Sequence, residues 1–145
     1  MPLSFARIGR LSASDWYLLA GAALSQVLTA YALRVMTLPG LRAMAARLRP
    51  LARVVLRGPD DRVIWAVEAT GRRLPRVSTC LVRAIVVQSR LSSADRPLRL
   101  TIGCKRASDG DLAAHAWIVD GQRVLTGGPV DAQFVPIVVW EGVAA

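Results

Sequence analysis

Two cysteines and a single histidine supply the side chains here that most readily act as a nucleophile and its base: Cys80, Cys104 and His115. Their surroundings differ. Cys80 follows Ser78-Thr79, two natural helix caps, and begins CLVRAIVVQSRL, in which Leu81, Ala84, Ile85 and Val87 or Gln88 describe one helical face. Cys80 is therefore expected at a helix N-terminus, where unpaired N–H groups and the positive end of the helix dipole favour a thiolate. The same N–H groups can hold the oxyanion of an acyl intermediate. Cys104 lies in LRLTIGCK, on the strand side shared with Leu98, Leu100 and Ile102, and reads as a small buried apolar residue. His115 lies in LAAHAWIV, a strand with His115, Trp117 and Val119 on one side. A Cys at a helix start and a His on a later strand suit nucleophilic acyl transfer; each residue alone also suits a structural role.

These residues need a scaffold, and a chain of 145 residues forms one domain with a real core. A hydrophobic share of 53% with 20% charged residues excludes a disordered tail, a collagen-like fibre and a low-complexity segment. No internal repeat is present. A first helix is expected from near Asp15, capped by Ser12 or Ser14, to Pro39-Gly40. A second is expected from Leu41 to about Leu56, kinked or broken at Pro50, and a third after Gly58-Pro59, capped by Asp60 or Asp61 and closed by Gly71. After the Cys80 helix come the two strands above. Asp120-Gly121 then predicts a tight hairpin into a strand over Arg123 to Thr126, before the turn Gly127-Gly128-Pro129. The order is α+β: a helical subregion over 12–74, then a core over 75–145 in which a Cys-bearing helix packs on a small antiparallel sheet carrying the His.

The net charge is +9, and Lys105 is the only lysine among 19 cationic residues. Ten arginines lie from Arg34 to Arg76 against Asp60, Asp61 and Glu68, a local balance of +7. Such a face attracts an acidic peptide or simply stays solvated. With no aromatic residue among these arginines before Trp65 and no recognisable motif, nucleic-acid binding is not expected. Residues 16–33 carry no charge and approach the length of a membrane span. Ser25, Gln26 and Thr29 interrupt the run, so it reads as a packed helix with one stripe facing a partner or the membrane surface. Met1 to Arg10 does not read as a signal peptide, and the reducing cytoplasm is the expected compartment. No metal site is expected, because Cys80, Cys104 and His115 lack zinc-ligand spacing. No phosphate-cradling glycine motif suggests a nucleotide cofactor.

The segments CLVRA from Cys80, LTIG from Leu100 and AHAWIVDG from Ala114, with Val124-Leu125 and Gly127-Gly128, resemble the lasso-peptide leader peptidases, bacterial transglutaminase-like cysteine proteases. The resemblance runs from about Leu18 to Pro136, and through the helical front only in character. It implies a transglutaminase-like or papain-like core, Cys80 as nucleophile and His115 as general base. It also implies a precursor peptide as substrate, a separate leader-recognition protein and a lasso cyclase as partners. Family members often carry an Asp after the histidine strand, where this chain has Leu125-Thr126-Gly127. Asp120 is the first candidate to orient the imidazole; Asp131, a backbone carbonyl or an amide are the others. Two other functions suit the same residues: another transglutaminase-like acyl transferase or amide hydrolase, and a non-catalytic basic helical adaptor.

Overall fold

The computed structural model describes residues 11–141. The stretch from Met1 to Arg10, read above as lacking a signal peptide, lies outside them. Among the described residues five helices precede a four-stranded antiparallel sheet: α1 (Ala13–Val35), α2 (Leu38–Arg47), α3 (Arg49–Val55), α4 (Asp60–Gly71) and α5 (Cys80–Leu91), then β1 (Arg99–Arg106), β2 (Leu112–Asp120), β3 (Arg123–Thr126) and β4 (Val135–Glu141). The α+β order read from the sequence is the observed one. β1, β2 and β3 form a meander, and β4 returns to the free edge of β1, giving the spatial order β3-β2-β1-β4 of a Greek key.

The helices start where the chain offers caps. Ser12 and Asp15 form a reciprocal capping box on α1. Pro39-Gly40 does not end α1, as the sequence reading had it. Met36 does, in extended conformation, and Thr37 caps α2 with Pro39 in its first turn. A proline there forfeits only an N–H that the first turn leaves unpaired. The second helix expected over Leu41 to about Leu56, kinked or broken at Pro50, is two helices: they part at Leu48, and Pro50 sits in the first turn of α3. Pro59, and not an aspartate, is the N-cap of α4; Asp60 and Asp61 sit in its first turn.

The core lies between the helical layer and one sheet face, joining Val63, Ala66 and Val67 of α4, Ala84 to Val87 of α5, and Leu98, Leu100, Ala116 and Ile118 around the sheet. Two close approaches set the helix packing. A Cβ on Gly21 would lie 2.5 Å from the Val55 carbonyl oxygen, so α1 and the end of α3 meet backbone to backbone. A Cβ on Gly71 would lie 2.7 Å from Ser78 Oγ and 2.9 Å from Arg83 Cδ, so the end of α4 takes side chains from the lead-in and first turn of α5 against its backbone. α1 is long and apolar enough to cross a membrane by length and composition. It packs on α4 and α5 along one side, and Trp16, Tyr17, Leu24, Leu28, Tyr31 and Val35 are exposed along the other.

Candidate active site

Cys80 is the first residue of α5, half-buried against the apolar core. Thr79 Oγ1 accepts from the Val82 N–H at 3.3 Å, which caps the third position of the helix. Helix geometry leaves the N–H groups of Cys80 and Leu81 without intrahelical partners beside the thiol. A buried polar cluster holds this helix start in place. Gln26 of α1, with no exposed surface, donates from Nε2 to Thr70 Oγ1 at 2.6 Å and to the Val67 carbonyl at 3.2 Å. Its Oε1 accepts from Ser78 Oγ, two residues before Cys80. The polar interruption in the apolar run of α1 thus ties α1 and α4 to the segment that leads into α5, two residues before the thiol.

His115 is anchored differently. In the sheet register Gly103 stands opposite His115, Ile102 opposite Ala116 and Leu100 opposite Ile118. Ala116 and Ile118 belong to the core beneath α5, so strand alternation turns His115 and Trp117 to the other face. There the imidazole stacks on Trp117 at a centroid separation of 6.0 Å and meets Phe134 at 5.4 Å. Gly103 makes room for this cluster, since a Cβ there would lie 2.8 Å from the Trp117 ring. The Nε2 of His115 lies 2.6 Å from the Gly127 carbonyl oxygen. A carbonyl only accepts, so Nε2 carries the proton and Nδ1 is left as the basic nitrogen. Among the described residues no hydrogen bond joins the imidazole to Cys80.

The orienting role considered first for Asp120 does not match its position. Its Oδ2 accepts from Arg96 Nε at 2.8 Å and Nη2 at 2.6 Å, while Arg96 Nη1 reaches Asp60. Asp120 lies in the last position of β2, five residues beyond His115, and secures the hairpin to the start of α4. Asp131 is engaged as well, by Lys105 Nζ at 2.5 Å, which holds its carboxyl below the ordinary 3.8. Lys105 Nζ in turn lies 4.9 Å from the Phe134 ring centroid. The 127–134 loop is thereby fastened over the histidine, and its contribution to the ring is a backbone oxygen and an aromatic side chain. Of the alternatives read from sequence, the backbone carbonyl is the one in contact.

An open cleft runs beside His115 where β3 ends, lined by Glu68, Arg83, Thr126 and Gly127-Gly128. Glu68 Oε2 accepts from Arg83 Nη1 at 2.9 Å, and its Oε1 accepts from Thr126 Oγ1. Helices α4 and α5 are thereby locked to the sheet edge at the cleft. Sequence reasoning missed Phe134, Glu68 and Arg83, because only the fold brings them to the histidine. Cys104 lies on β1 opposite Ala114 and Val135, a half-buried free thiol on the face of Ile102. Among the described residues no cluster of His, Cys, Asp or Glu could hold a metal ion.

Comparison with curated proteins and with solved structures found no match. Residues 19–139 match the Transglutaminase-like superfamily, a span that runs from within α1 to within β4 and includes the Cys80 helix and the histidine strand, and the chain belongs to that superfamily.

Proposed function

We propose that this protein is a cysteine peptidase that removes the leader from a ribosomally made lasso-peptide precursor. The superfamily commonly comprises cysteine-dependent enzymes, which supports the coarser half of the reading. The observation that carries it on this chain is Cys80 at the capped start of α5, with two N–H groups beside the sulfur. In the reaction Sγ attacks the scissile carbonyl, and the N–H groups of Cys80 and Leu81 receive the oxyanion. His115 takes the thiol proton at Nδ1 and gives it to the leaving amine; water, deprotonated by the same nitrogen, then frees the acyl group. This requires Nδ1 to come within hydrogen-bond reach of Sγ, a contact that commonly tightens only when substrate is bound. A separate recognition protein would hold the leader and a cyclase would take the core peptide, in the cytoplasm, where the two free cysteines stay reduced.

The test is incubation with a candidate precursor and its recognition protein, read by mass spectrometry. Cleavage by the wild type, with none by Cys80→Ala or His115→Ala, is the expected result; the double variant should be no worse than either single one, because the pair acts as a unit. Cleavage retained by Cys80→Ala overturns the reading. One observation favours a second reading, a non-catalytic basic adaptor: the imidazole lies on the sheet face opposite the core beneath α5 and is bonded to Gly127. Iodoacetamide labelling followed by peptide mapping separates the two. A catalytic Cys80 is alkylated well ahead of Cys104, and that preference weakens in His115→Ala; an adaptor shows neither behaviour.

A further inference from the structure

The most unusual surface lies away from the cysteine and histidine. Helices α1, α2 and α3 enclose an apolar groove of about 220 Å³, lined by Leu24, Leu28, Met44, Leu48, Leu51 and Val55 among others. Leu28 is 58% exposed and Leu51 56%, and Tyr31, Val35 and Val54 of the same two helices are exposed as well. Exposed apolar residues grouped around a groove and rimmed by charge mark an interaction site. The rim is cationic and has nothing to neutralise it. No Asp or Glu occurs from residue 16 to residue 59, while Arg34, Arg47, Arg53 and Arg57 are exposed there. The six ion pairs among the described residues involve none of these arginines. Beside the groove, Arg49 has a buried Nε without a hydrogen-bond partner.

We propose that this groove docks an acidic amphipathic helix of a partner protein. A helix with leucine-like side chains at i, i+3 or i+4, and i+7 fills an apolar groove between helices, and carboxylates on its flanks meet the arginine rim. Guanidinium groups bind carboxylates in paired hydrogen bonds, which adds register to attraction. Charge argues against a second copy of this chain, because two such rims would face each other with the same sign. The recessed shape favours inserted side chains over a bilayer surface. The inference rests on this surface and not on the chemistry at Cys80.

The test is fluorescence anisotropy on the full chain, with a labelled synthetic helix of about five turns. Its leucines occupy one face and its glutamates the rest; a scrambled peptide of equal composition is the control. The expected result is saturable binding of the patterned peptide only, weakened about tenfold or more by Leu28→Ser with Leu51→Ser, a loss of about 1.4 kcal/mol. Arg47→Glu with Arg53→Glu should also weaken it, as should added salt. All four positions are exposed, so circular dichroism should show unchanged folding, and iodoacetamide reactivity of Cys80 should be unchanged. Equal binding of the scrambled peptide, no loss in the variants, or adsorption to phosphatidylglycerol vesicles without peptide binding overturns the proposal. So does a dimer in sedimentation that the leucine variants dissociate.

Discussion

At Gly127 there is no space for a side chain: its φ is +81°, and a Cβ would run into the Ala116 carbonyl oxygen and lie 2.9 Å from Trp117 Cα. The backbone that accepts from His115 is therefore pressed directly against the histidine strand. Gly127→Ala should displace that carbonyl and free the ring. On the proposed reaction kcat falls by about tenfold or more while KM changes little, since a misplaced base costs transition-state and not ground-state binding. Nitrogen NMR of His115 gives an independent reading: a proton held on Nε2 in the wild type and a mixture of tautomers in the variant. Asp120→Asn should leave cleavage within a few-fold, because its partner is Arg96; a severe loss would restore Asp120 to the site. The histidine and Cys80 were legible as candidate residues. The orienting group was not, because a carbonyl belongs to every residue type, and only the fold selects Gly127.

The segment from Ser78 to Leu91 was legible because its cap, its apolar face and its start at Cys80 agree; the tight hairpin expected at Asp120-Gly121 forms with Gly121-Gln122 as its two turn residues between the paired Asp120 and Arg123, and φ is +57° at Gly121. β4 escaped notice. Its Pro136 stands opposite Gly103, at the register shift of an edge strand, where a missing N–H is tolerated but the sequence pattern is broken. The buried Gln26 gives the element-scale prediction. Gln26→Leu keeps the volume roughly constant yet strands Ser78 Oγ in the core, while the Val67 carbonyl keeps the Thr70 hydroxyl as a donor. An unfolding free energy lower by about 1–3 kcal/mol is expected from chemical denaturation. Because Ser78 leads into Cys80, the same variant should also loosen the helix start, detected as faster hydrogen exchange at Leu81 and Val82. Destabilisation without that local change would confine Gln26 to a packing role.

Across the whole molecule the helical half is joined to itself and to the sheet by arginines that span elements. Arg62 of α4 bonds Asp15 of α1, Arg90 of α5 donates to the carbonyls of Leu56 and Gly58, and Arg96 bridges Asp60 and Asp120. The hydrogen bond from Arg62, followed by those from the backbone and side chain of Ser12, holds the Asp15 carboxyl below its ordinary value of 3.8. A carboxyl with a depressed folded pKa stabilises the protein above its unfolded pKa, and that contribution is lost as pH falls through the folded value. Wild type should therefore exceed Asp15→Asn in stability at neutral pH, and the gap should shrink below pH 3.8, where the unfolded chain and then the folded one take up the proton. Because the pair is partly open to solvent, salt should narrow the neutral-pH gap as well. Thermal melts of both proteins at neutral and acid pH, each at low and high salt, measure this. A gap independent of both pH and salt would mean that Asp15 acts only through the Ser12 capping box, which asparagine partly replaces, and not through its charge on Arg62.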